Sequence, residues 1–219
     1  MNALSLMSED IIPLSTSASG AEALEMMNDF HIEHLPIVND KQLLGVLSEE
    51  DILDHDVSEA VGSYQLSLNN ALADENDHVF DVLSRMAESN LSAIPVVDRN
   101  SNFLGVISRQ SLMRYFSRSF SFSEVGSIIV LEMSKPDYAM SEISRVIESE
   151  NVAILSSFVT EEALANRIQV HIKLNKVDIQ RVVAALDRFD YEIKAMFTVT
   201  DDEDAYQDRF ASLMHYLRM

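Results

Sequence analysis

A duplication governs what this chain can fold into. Leu24 and Leu83 stand 59 residues apart, and the same offset carries Met27 onto Met86, Ile32 onto Leu91 and Pro36 onto Pro95. It turns His34-Leu35-Pro36-Ile37-Val38 into Ala93-Ile94-Pro95-Val96-Val97. The offset then grows to 60, pairing Gly45 with Gly105. The slip falls where Asn39-Asp40-Lys41-Gln42 faces Asp98-Arg99-Asn100-Ser101-Asn102. Asn, Asp and Ser are turn formers, and turns absorb single insertions. The repeat is therefore structural, and any fold must hold two copies of one unit.

Both copies read alike. Ala21, Leu24, Met27 and Phe30 recur at helical spacing, as do Val79, Leu83 and Met86. A short apolar strand follows, Leu35 to Val38 or Ile94 to Val97, then a turn and a second strand, Leu43 to Leu47 or Phe103 to Ile107. A closing helix opens at Ser48 or Ser108, where a hydroxyl accepts from an otherwise unpaired backbone N–H. Glu50 and Asp51 in its first turn suit the helix dipole.

Helix, apolar-Pro-apolar-apolar strand, polar turn and a Gly-apolar-apolar-Ser-x-x-Asp close together resemble the CBS domain. Gly45-Val46-Leu47-Ser48-Glu49-Glu50-Asp51 fits that close throughout, and Gly105-Val106-Ile107-Ser108-Arg109-Gln110-Ser111 departs at its last position. The similarity covers about residues 1–120, with the first repeat at 1–60 and the second at 61–122. It implies paired βαββα units that hold adenosine-containing ligands in clefts between the repeats. By the same resemblance, the closing Asp bonds ribose hydroxyls, the Ser meets sugar or phosphate, and backbone near the Pro reads the base. The first site would then use Ser48 and Asp51 with Leu35 and Pro36. The second would use Ser108 with Ile94 and Pro95, has Ser111 in place of the acid, and brings Arg109 and Arg114, which suit phosphate. Glu49, Glu50 and Asp54 ring the first site and oppose phosphate there. Ser48 and Ser108 read equally as helix caps, and Asp51 as a dipole partner.

The C-terminal third shows another order. Ser127 to Met133, Val152 to Val159, Arg167 to Leu174 and Tyr191 to Val199 read as strands, and Asp137 to Ser149 and Asp178 to Phe189 as helices. The order βαββαβ is the ferredoxin-like split motif, placed at 125–200. With Asn151-Val152-Ala153-Ile154 at the junction of helix and strand, it resembles an ACT domain. Ligand-binding members of that family carry a glycine after the first strand. Here Ser134-Lys135-Pro136-Asp137-Tyr138 has none, which favours docking or dimerisation over amino-acid binding. Residues 201–219 read as an acidic linker and an amphipathic helix carrying Tyr206, Phe210, Leu213, Met214 and Leu217.

The chain carries 36 acidic against 16 basic residues, a net charge of -20. Such a surface repels phosphate backbones and anionic lipid, which argues against nucleic acid and membrane partners. There is no cysteine for a disulfide or thiolate site. The first ten residues are unlike a signal peptide, and no apolar run approaches the roughly 18 residues of a membrane span, so a cytoplasmic protein is expected. His31 and His34 lack an acidic partner at metal-ligand spacing, and no phosphate-cradling or nucleophile-elbow motif occurs. The expectation is an α/β (α+β) chain of tandem CBS repeats and an ACT-like domain, acting as a non-catalytic sensor. It would require no cofactor, and AMP, ADP, ATP or S-adenosylmethionine would be its regulatory ligand. It would form a homodimer. The rival readings are an interaction or oligomerisation module with vestigial clefts, and an amino-acid sensor.

Overall fold

The computed structural model describes residues 2–8, 10–64, 71–161 and 166–198. The acidic linker and terminal helix expected at 201–219 lie outside the described residues. The chain divides into two compact units, Met1–Phe116 and Ser117–Met219.

In the first unit, the first repeat runs α1 (Gly20–Phe30), β1 (His34–Asn39), β2 (Gln42–Ser48) and α2 (Glu49–Leu53). The second runs β3 (Ala73–Asp74), α3 (Val79–Glu88), β4 (Ala93–Val97), β5 (Phe103–Ser108) and α4 (Arg109–Ser119). Each β-pair is antiparallel and has a bulge at the same place. Ile37 faces Gly45 and Val38 faces Leu43; Val96 faces Gly105 and Val97 faces Phe103. The skipped residues, Leu44 and Leu104, are equivalent, so the duplication extends to an irregularity of the ladder. Equivalent residues after the first helices both turn left-handed: His31, the C-cap of α1, at φ 54°, and Asn90, one residue past the Ser89 cap of α3, at φ 49°.

Two expected features differ. The opening strand of the second repeat, β3, pairs parallel with β4, but its counterpart in the first repeat is a single bridge from Leu14 to Ile37. Leu14 N–H donates to the Pro36 carbonyl, and the Leu14 carbonyl accepts from Val38 N–H, each at 2.8 Å. Pro13 precedes it and has no N–H, which limits a longer ladder. The closing helices also differ in length. α2 ends at Leu53, where Asp54 and Asp56 put negative charge at the unfavourable end of the dipole; α4 carries Arg118 in its last turn.

The repeats exchange parts. Ala3 and Leu6, on a short 3-10 turn, and Val46 of the first repeat sit in the core of Val79, Val82, Met86, Ile94 and Ile107. Val61, Tyr64, Ala93 and Val106 sit in the core of the first repeat. The arms dock by equivalent bonds: Ala3 and Leu4 donate to Asp77 and Glu75, and Val61 and Gly62 to Ala18 and Thr16. Gly105 lies under the side chain of Met7, whose Sδ would be 2.8 Å from a Cβ there.

The second unit runs β6 (Ile128–Ser134), α5 (Met140–Glu148), β7 (Ile154–Glu161), β8 (Arg167–Leu174), α6 (Gln180–Arg188) and β9 (Glu192–Phe197). Its antiparallel sheet has the order β7-β8-β6-β9, the ferredoxin-like arrangement. Ile168, Val170, Ile172 and Leu174 alternate inward from β8 against Ile143, Val146, Ile147, Val182 and Leu186 of the two helices. Helix α5 starts at Met140 rather than at Asp137. Lys135–Asp137 forms a 3-10 turn with Pro136 near its start, and Ala139 is extended before the helix.

Candidate functional site

The closing motif of each repeat forms at the end of a strand. In the first, Ser48 caps α2. Its backbone N–H and its hydroxyl donate to Asp51 Oδ2 at 3.0 and 2.6 Å, and its Oγ accepts from Asp51 N–H at 3.1 Å. Asp51 thus closes a capping box through Oδ2. Leu35 is fully buried and Pro36 is buried in β1, where the Pro36 carbonyl accepts from Leu14 N–H.

In the second repeat, Ser108 caps α4 by accepting from Ser111 N–H at 3.1 Å. The position that holds an acid in the first repeat is a hydroxyl here, and a third hydroxyl from the arm meets it. Ser8 Oγ lies 2.6 Å from Ser111 Oγ and 3.4 Å from Ser108 Oγ, with Ser108 and Ser111 3.1 Å apart. This triangle is on the wall of a 390 Å³ cleft reached also by Asp10, Asp29, His31 and Arg114. Arg109, paired with Arg114 in the sequence reading, does not line it. Arg109 projects from the exposed side of α4 and acts electrostatically on His34 instead. Ile94 and Pro95 are buried in β4. One guanidinium faced by two carboxylates is a poorer phosphate site than two arginines would make. Residue 67, the counterpart of Ser8 by the repeat offset, lies outside the described residues. A neighbouring 380 Å³ groove between α1 and α2 includes Glu33 and Glu49 but neither Ser48 nor Asp51.

His34 stands between the two motifs. It is opposite Ser48 in the ladder, and its Nδ1 accepts from Ser92 N–H at 3.3 Å and lies 3.1 Å from Ser92 Oγ. Ser92 Oγ accepts from Glu33 N–H at 2.8 Å, and the Ser92 carbonyl accepts from Arg109 N–H at 2.8 Å. Burial holds the His34 imidazole below its ordinary pKa, Arg109 adds to this, and Glu33 and Asp51 oppose it. No group of side chains suited to a metal ion occurs among the described residues. Nor is any helix among them long and apolar enough to cross a membrane.

Ser8, Asp10 and Asp29 were invisible to sequence reading. They reach the cleft from the arm and from α1, far from Ser108 in the sequence, and no local periodicity reports such a contact.

The family model for the CBS domain matches residues 3–58 and 68–118. The first unit is a CBS domain pair. The homoserine O-acetyltransferase of Methanosphaera stadtmanae is 28% identical over 115 residues, which are 52% of this chain and 24% of that enzyme. That of Methanosalsum zhilinae is 28% identical over 104 residues, 21% of its length. This chain therefore matches less than a quarter of either enzyme. Among solved structures, the CBS domain pair/ACT domain protein of Thermotoga maritima is 23% identical, with TM-score 0.48, covering 53% of this chain and 96% of its own. Another CBS domain pair, solved with 5′-methylthioadenosine and S-adenosyl-L-methionine, is 25% identical over 53% of this chain and 96% of its own, with TM-score 0.45.

Proposed function

We propose that this protein is a non-catalytic, cytoplasmic regulatory protein whose CBS pair binds an adenosine-type ligand bearing few phosphates. The observation that carries the reading is the cleft at the second closing motif, where Ser8, Ser108 and Ser111 offer hydroxyls to a sugar and Arg114 offers a guanidinium. Asp10 and Asp29 in that cleft, and Glu49, Glu50 and Asp54 around the first motif, oppose a polyphosphate. The first motif contributes Ser48 and Asp51 to the ribose. A homodimer would transmit occupancy, provided that the ligand binds its two packings with different affinity. The ferredoxin-like unit, which resembles an ACT domain, would serve as a dimerisation or docking element.

The test is thermal unfolding with AMP, ADP, ATP and S-adenosylmethionine. A ligand at 100 times its Kd stabilises by about 2.7 kcal/mol. AMP or S-adenosylmethionine is expected to shift the transition more than ATP. Ser111→Ala with Arg114→Ala should remove the contribution of the second cleft and Asp51→Asn that of the first, Asn keeping a capping oxygen. Absence of a shift with every ligand at millimolar concentration would sink the reading and favour an interaction module with vestigial clefts. In that module the Ser8–Ser111 bond and the Ser48–Asp51 box are purely structural.

A further inference from the structure

The helix layer of the second unit leaves one edge of its sheet uncovered. Ile129 of β6 and Met196 of β9 are register partners, so both point to the side on which α5 and α6 pack. Ile129 is fully buried, but Met196 is 52% exposed. Among the described residues the layer stops at α6, and β9 is the edge strand beyond it. A groove of about 650 Å³ runs there, with Val177 and Ile179 at one end, Val183 and Ala184 of α6 along its wall and Met196 on its floor. On α6, Gln180, Val183, Ala184 and Asp187 follow the spacing i, i+3, i+4, i+7 and form one stripe toward the groove. Val182, Ala185 and Leu186 form the stripe that enters the core. The helix therefore carries two faces with apolar residues, and the described core uses one.

The chain itself supplies an occupant of matching size. It leaves β9 at Thr198, which lines the groove, and continues through residues 199–219. Tyr206, Phe210, Leu213, Met214 and Leu217 recur there at helical spacing. A helix from Tyr206 to Leu217 would be about 18 Å long, against about 14 Å for α6. A helix that short is marginal in water by itself, and its apolar stripe needs a surface to pack on. Residues 199–205 supply a connector that extends roughly 3.3 Å per residue, enough to turn the stripe back along α6. At helical spacing Arg209 and Arg218 flank the stripe, and Asp178 and Asp187 stand on the groove's rim with the opposite charge. We propose that the groove between α6 and β9 is the docking site for residues 206–217 of the same chain. This contact belongs to the second unit and is independent of the adenosine reading.

The experiment is disulfide trapping in the full chain, which has no cysteine of its own. Ala184→Cys or Met196→Cys, each at an exposed position, is combined in turn with Phe210→Cys, Leu213→Cys or Leu217→Cys. The variants are oxidised with diamide and read on non-reducing gels and by mass spectrometry. At least one pair should close within a single chain at least tenfold faster than the same groove cysteine with Ser212→Cys, which helical spacing puts opposite the stripe. Closure at equal rates from the stripe and from Ser212→Cys would overturn the proposal, as would no closure from any pair. Bridges formed only between chains would overturn it as well, because they would seat a second copy's segment in the groove.

Discussion

The two CBS repeats agree in backbone and disagree in chemistry. Both have the bulged β-pair, a left-handed residue just after the first helix and the serine-capped closing helix. One then closes on Asp51, while the other closes on Ser111 and borrows Ser8 from an arm. Position 34 is a half-buried histidine, and its counterpart is Ala93. The apolar pattern and the turns determine where each motif sits; the few polar positions at its end determine what it would recognise. A duplicated scaffold can therefore carry two unlike clefts without unlike folds.

The strongest challenge to that equivalence is truncation of paired core residues. Leu35 and Ile94 are both fully buried at matching positions. Leu35→Ala and Ile94→Ala should each cost about 3 kcal/mol in urea unfolding. A disparity above about 1 kcal/mol would show that one repeat sustains the other, against the symmetry of the cores. A smaller effect tests the motifs. Ser48→Ala and Ser108→Ala should each cost about 1 kcal/mol as lost caps. A double-mutant cycle with Ser8→Ala should be non-additive for Ser108 and additive for Ser48, since Ser8 bonds into the second motif. Additivity in both would remove the arm from the cleft's network.

The smallest expected effect is acid sensitivity at His34. Its folded-state pKa lies below the usual 6.5, chiefly through burial. Below pH 6.5 the unfolded chain takes up that proton first. The stabilisation is complete above the ordinary histidine range and is lost as pH falls through the lowered value. His34→Asn, which retains an acceptor for Ser92, should flatten the acid side of the first unit's stability profile. An unchanged profile would mean that the carboxylates alone set it.

Much of this architecture was legible in the residues, for definite reasons. Val38 to Leu43 showed the insertion that becomes the turn, and the alternation from Arg167 to Leu174 gave the half-covered strand of the second unit. Ser48 and Asp51 were placed together by the resemblance of their motif to the CBS close, and they bond to each other in the structure. What escaped was non-local or depended on a single donor. Pro13 reduces a strand to one bridge, Asp54 and Asp56 shorten α2, and Arg109 turns away from the cleft it was expected to line. The substitution of Ser111 was plain, but not that Ser8 would meet it, because nothing near residue 8 names a partner a hundred positions on.

The exchanged arms bear on how the first unit assembles. Ala3 and Leu6 complete the second repeat, and Val61 and Tyr64 the first. Neither core closes until distant segments have met, so the contact order is high and folding is slowed by loop closure. The same crossing makes the two halves one cooperative element. A single repeat made alone would lack its arm and would tend to recruit it from another copy, so the duplicated chain holds within itself what would otherwise be a dimer.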